Sequence, residues 1–132
     1  MTQGRDRLVQ LTSGFMDAFN RNDLDGVMAC FAPDAVYDEF TGRANEGLAA
    51  IRAAFEPQFT GAFGDMKFLE EDQFVDESTG KVMASWLCTL EARGEPVAWR
   101  GLDLIHWRDG RVVHKATYAK AKVPLLIRPE PV

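Results

Sequence analysis

The hydrophobic period of this chain changes once, near residue 60, and that change limits the folds open to it. Before that point apolar residues recur every three or four positions, and after it every second position. Leu8, Leu11, Phe15 and Phe19 predict an amphipathic helix from about Gly4 to Asn20. "NRND" interrupts it, and Asp23 is a natural N-cap for a second, shorter helix with Leu24, Val27, Met28 and Phe31 as its apolar stripe. Pro33 is expected to stop that helix, because its ring restrains both itself and Ala32. "AVYDEF" then reads as a short strand. Asn45 is expected to cap a third helix that buries Leu48, Ile51 and Phe55 and ends near Pro57.

Two-residue alternation predicts strands over Met66–Val75, Lys81–Ala92, Val97–Trp107 and Arg111–Lys122, with turns at "RGEP" and "RDG". Helices followed by consecutive antiparallel strands make an α+β pattern. A sheet of this kind curls, and helices covering one face of it can leave a cavity between the layers. The 132 residues, 46% hydrophobic and 27% charged, suit one domain over residues 1–132. Its last segment, "VPLLIRPEPV" at residues 123–132, is a proline-rich tail expected to strap the body or fray.

A net charge of −5 without any Lys/Arg run argues against nucleic acid as a partner. The N-terminal stretch has no apolar signal-peptide core, and no apolar run approaches membrane-spanning length. A cytoplasmic protein with no membrane partner is expected. Cys30 and Cys88 show neither metal-binding nor redox spacing and read as small buried hydrophobes. His106 and His114 are not spaced as a metal pair and have no carboxylate cluster beside them, so no metal is expected. No motif calls for a nucleotide or an organic cofactor.

One residue breaks the pattern. In "GLDLIHWRDG" the face carrying Trp99, Ile105 and Trp107 also carries Asp103. A buried unpaired carboxylate is costly, so the hairpin that follows should supply a partner. A two-residue Asp109-Gly110 loop sets Asp103 opposite Ala116, with His114 and Tyr118 on its face. A three-residue loop sets it opposite Lys115, with Val113, Thr117 and Ala119 on that side. The opposite charge of Lys115 favours the second register, and a slip of one residue would exchange the two sets.

"FNRNDLDGVMACFAPDAVYDEFTG", "AAIRAAF" and "RGLDLIHWRDGRVV" together resemble the SnoaL-like and ketosteroid-isomerase-like branch of the NTF2-like superfamily, from about Phe15 to Ala121. The resemblance implies a cone: a curved antiparallel sheet wrapped around three helices from the N-terminal half, enclosing an apolar pocket, usually in a homodimer. It implies a base aspartate on the short strand after the second helix, where Asp38 stands beside Glu39. It also implies an aspartic acid on a late strand, where Asp103 stands; ketosteroid isomerase is the type case of that residue kept neutral. The isomerases' tyrosine on the first helix is matched here by Phe15, and an apolar pocket position by Lys115. SnoaL-type cyclases use an aspartate on the same late strand to move a proton at a carbon activated by carbonyls, a role that Asp103 fits without the tyrosine.

The resemblance thus leads to cofactor-free proton transfer on a small, mostly apolar carbonyl compound, of isomerase or cyclase type. Asp103 would be the acid/base, with Asp38 and Lys115 as further catalytic candidates. The pocket wall would comprise Phe15, Phe19, Phe55, Trp86, Cys88, Leu90, Trp99, Ile105 and Thr117. The alternative is a non-catalytic ligand-binding or dimerisation module in which Asp103 and Lys115 form a structural ion pair. An epoxide-hydrolase reading needs an Asp-Arg-Asp set, and Arg100 alternates to the convex face. That face also carries Leu102, Leu104 and His106, and a homodimer through it is expected. Tyr37 alternates away from Asp38 and is expected in the core or the dimer interface.

Overall fold

A computed structural model describes residues 4–129. Helices α1 (Arg5–Asn20) and α2 (Leu24–Ala29) lead into strand β1 (Phe31–Asp38), a short β2 (Ala44–Glu46) and helix α3 (Leu48–Phe59). Four long strands follow: β3 (Lys67–Asp76), β4 (Lys81–Ala92), β5 (Glu95–Arg108) and β6 (Arg111–Ala119). They form one curved six-stranded sheet in the order β2-β1-β6-β5-β4-β3. The sheet is mixed rather than purely antiparallel, because β1 runs parallel to β6 while the other neighbours are antiparallel. Among the described residues, no helix is long and apolar enough to cross a membrane.

The helical period places Leu8, Phe15 and Phe19 of α1 in the core. Phe15 lies at its centre, edge-on to Phe19, Phe31 and Trp107 at 5.1, 5.5 and 5.8 Å. Asp23 caps α2 as expected: its carboxylate accepts from the Gly26 amide at 2.9 Å, an arrangement that stabilises by about 1 kcal/mol.

Four local expectations need correction. Phe31 belongs to β1 rather than α2, and Pro33 lies inside that strand. The β1–β6 register is irregular between Phe31 and Val36, a place where a residue without an amide hydrogen costs no ladder bond. Asn45 does not cap α3; Gly47, at φ 84°, precedes that helix. Asn45 is instead buried on β2, donating to the Tyr37 carbonyl at 3.2 Å and to Glu39 Oε2 at 2.8 Å. Pro57 does not end α3, which runs to Phe59 and keeps the proline in its final turns. Leu48, at the start of that helix, is exposed rather than buried.

The β5–β6 hairpin mixes the two registers foreseen for it. Asp109 and Gly110 have φ of 53° and 79°, so the turn is the two-residue kind and Arg108 pairs with Arg111. Beyond it, Trp107 pairs with Val112 but His106 pairs with His114, leaving Val113 as an extra residue. This bulge reverses the parity of the rest of β6. Asp103 consequently pairs with Thr117, and Lys115, opposite Ile105, is on the same face.

The tail beyond β6 has no regular structure through residue 129, and residues 130–132 of the predicted tail lie outside the described residues. Leu125 reaches Gly42 in the β1–β2 turn, while Leu126 and Ile127 are exposed.

Candidate functional site

The bulged hairpin, β4 and β1 bring five polar side chains, Asp103, Lys115, Thr117, Trp86 and Tyr37, to one end of the apolar space between sheet and helices. Asp103 and Lys115 are almost fully buried, at 2% and 4% exposure. Lys115 Nζ lies 3.2 Å from Asp103 Oδ1 and donates to Thr117 Oγ1 at 2.9 Å. The Thr117 hydroxyl donates to Asp103 Oδ1 at 2.7 Å, and Trp86 Nε1 donates to Asp103 Oδ2 at 3.1 Å. Two hydrogen bonds and the Lys115 ammonium therefore engage the carboxylate, Thr117 and Lys115 at Oδ1 and Trp86 at Oδ2, which leaves an acceptor position on Oδ2.

Rings surround the Lys115 ammonium. Its nitrogen is 4.6 Å from the Tyr37 ring centre, 5.5 Å from Phe55 and 5.6 Å from Phe19, all within cation–π range. Tyr37 stacks on Phe55 at 4.6 Å, so the ring nearest the ammonium is itself held in place. Burial pushes the Tyr37 phenol above its ordinary range, and the Lys115 charge works against that. Tyr37 is therefore a neutral hydroxyl at the site.

The polar cluster faces a narrow inner cavity of about 60 Å³ whose lining includes Met16, Phe19, Phe55, Phe68, Trp86 and Trp99. An outer cleft of about 380 Å³ continues from it, and Tyr37, Phe40, Phe55, Gln58, Met66 and Trp99 line both. At the mouth, Phe40 of the β1–β2 turn lies against Trp99 of β5, with ring centres 5.1 Å apart.

Of the residues expected to form the site, Asp103, Lys115, Thr117, Phe19, Phe55, Trp86 and Trp99 meet at the inner cavity, and Leu90 lines the outer cleft. Phe15, Cys88 and Ile105 line neither, being buried in the packed core. Burial drives the Cys88 thiol up to about 12, which rules it out as a nucleophile at neutral pH. Asp38 lines neither as well: its Oδ2 lies 2.6 Å from His114 Nε2, and both side chains are partly exposed. Alternation along β1 turns Tyr37 inward and Asp38 outward, so Asp38 is not brought to the cavity where the resemblance to steroid isomerases expected it. Gln58 was also missed, although it continues the buried stripe of Ile51 and Phe55 by one turn. Among the described residues, no group of three His, Cys, Asp or Glu side chains could hold a metal ion.

A family model for the SnoaL-like domain matches residues 13–115, and the chain belongs to the SnoaL-like family. Its fold is the α+β NTF2-like cone. A candidate polyketide cyclase from Xanthomonas campestris pv. campestris superposes with a TM-score of 0.76 at 22% identity, covering 86% of this chain and 90% of that one. A candidate SnoaL-like polyketide cyclase from Jannaschia sp. CCS1 gives a TM-score of 0.76 at 17% identity, covering 89% and 90%. A protein of unknown function with a cystatin-like fold from Methylobium petroleophilum PM1 gives 0.79 at 18% identity, covering 98% and 86%. No curated protein sequence matches the chain.

Proposed function

We propose that this protein binds a small, mostly apolar carbonyl compound and moves a proton beside the carbonyl without a cofactor, as isomerases and cyclases do. The observation that carries this reading is a buried Asp103–Lys115 pair at the blind end of an apolar cleft. Lys115 donates one N–H to Thr117 and is ion-paired with Asp103, which leaves N–H capacity for a ligand oxygen. The open acceptor position on Asp103 Oδ2 is suited to take a proton from the adjacent carbon. In that step the C–H bond breaks, an O–H bond forms on Asp103, and the electron pair moves onto the carbonyl oxygen as an enolate. The ammonium then faces the negative charge that develops, which is where electrostatic stabilisation is most effective. Return of the proton to a different carbon completes an isomerisation. The SnoaL-like relatives named as candidate polyketide cyclases fit this chemistry.

The test is deuterium uptake by β-tetralone in heavy water, followed by NMR. Wild type should catalyse exchange at the carbon between ketone and ring, and Asp103→Asn should lose about 10²-fold or more. Exchange that survives the substitution would remove Asp103 from the chemistry. The second reading, a structural pair in a non-catalytic binding module, is favoured by the direct contacts that Asp103, Thr117 and Lys115 make with one another. It expects no exchange even in wild type, and β-tetralone affinity that Asp103→Asn leaves unchanged.

A cytoplasmic homodimer is part of the same proposal. Leu69, Phe74, Leu104 and Tyr118 lie exposed on the convex face of the sheet, a patch that pairing of two copies would cover. Light scattering should show a dimer for wild type and a monomer for Leu104→Glu; a wild-type monomer at micromolar concentration would remove the dimer from the reading.

A further inference from the structure

The hydrogen-bonding groups at the blind end of the inner cavity engage one another, apart from the Lys115 N–H and the Asp103 Oδ2 position left for a carbonyl ligand. Asp103, Lys115, Thr117 and the Trp86 N–H form one connected set. Gln58 stands apart. Its half-buried side chain lines both the inner cavity and the outer cleft, and no hydrogen bond engages its carboxamide.

The volumes give this position its meaning. At about 60 Å³ the inner cavity has room for a handful of waters, at about 10–15 Å³ each, and is several times smaller than the outer cleft, so it suits the narrow end of a ligand. The outer cleft, at about 380 Å³, falls within the range of small-molecule sites and has room for the body. A ligand presenting its carbonyl to Lys115 therefore passes Gln58 where the two spaces join. The other residues lining both spaces are Tyr37, Phe40, Phe55, Met66 and Trp99, so Gln58 supplies the carboxamide of the junction. A carboxamide there offers a donor and an acceptor together, and it carries no charge to repel either sign.

We infer that Gln58 is the specificity-determining residue of this cleft, selecting ligands that carry a hydroxyl or amide group beyond the carbonyl end and fixing carbonyl-first entry. This rests on the carbonyl-binding reading above. The residue acts by positioning, since it lies outside the proton-transferring pair. A ligand without the second polar group leaves the carboxamide unpaired in a desolvated cleft and binds more weakly.

The experiment compares β-tetralone with its ring-hydroxylated derivative, the hydroxyl remote from the ketone, by quenching of tryptophan fluorescence. Wild type should bind the hydroxylated compound about tenfold more tightly, the upper range for one net hydrogen bond. Gln58→Leu should abolish most of that preference, and Gln58→Asn, which keeps the carboxamide on a shorter stem, should retain part of it. The position is half-buried near the end of a helix, so both variants should fold, which circular dichroism checks. Equal affinity of wild type for the two compounds overturns the inference, as does a Gln58→Leu variant that keeps the preference. Failure of either compound to bind wild type would instead sink the carbonyl-binding reading, and this inference with it.

Discussion

Replacing Lys115 by methionine should cost about 3–5 kcal/mol of folding stability. At the urea slopes usual for a small domain, that is a fall in the midpoint of about 1–5 M. The variant keeps the length and apolar stem of the side chain but strands the Asp103 carboxylate, which is 2% exposed and then has only Thr117 and Trp86 as donors. Removing one member of a buried pair is far more damaging than removing both, because the remaining charge has lost its water and its partner. The double variant Asp103→Asn, Lys115→Met should therefore recover most of the loss. If the double variant is as unstable as the single one, the cost lies in packing against Tyr37, Phe55 and Phe19 rather than in stranded charge.

The second large effect is expected at Gly101, and it comes from shape alone. A Cβ on this residue would fall on the Tyr118 carbonyl oxygen and lie 2.6 Å from Cη2 of Trp86. The carbonyl belongs to the neighbouring strand and cannot withdraw without opening the β5–β6 ladder. The indole must then move, and with it the Nε1 donor to Asp103. Gly101→Ala should lose about 1–3 kcal/mol from overpacking and more if the Trp86 bond breaks. Thermal denaturation measures the loss, and the near-ultraviolet circular dichroism of tryptophan reports the displaced indole. Gly14→Ala is the control: nothing lies within 4 Å of its added carbon on an exposed turn of α1, and it should gain up to about 1 kcal/mol. A Gly101→Ala protein with wild-type melting and dichroism would show that β4 and β5 shift apart easily.

The period change near residue 60 carried most of the fold, because burial on one face of a helix or strand is written directly into residue spacing. β4, for example, occupies Lys81–Ala92 as expected, and its buried side is the one that alternation selects. What spacing could not convey was parity across an irregularity. A bulge at Val113 costs one residue and leaves no compositional mark, yet it decides whether Lys115 and Thr117 or His114 and Ala116 join Asp103. Opposite charge nevertheless chose the correct face of β6, since a carboxylate among tryptophans had to find a cation. In β1 the same logic had no purchase. Alternation separates Tyr37 from Asp38 but is silent on which turns inward, and a phenol buried on a stacked phenylalanine decides it. Gln58 was illegible for another reason: Pro57 suggested a helix end, whereas the helix continues and adds one more inward position.

The order of the strands along the chain also bears on how the protein is made. Asp103 and Trp86 leave the ribosome before Thr117 and Lys115, and β1 pairs with a strand roughly eighty residues downstream of it. A nascent chain that has not yet released β6 therefore holds Asp103 without its cation and β1 without its parallel neighbour. Contacts so distant in sequence form late and set a slow step in folding. Addition of β6 supplies both the parallel neighbour of β1 and the cation beside Asp103, so the closed sheet and the inner cavity arise together.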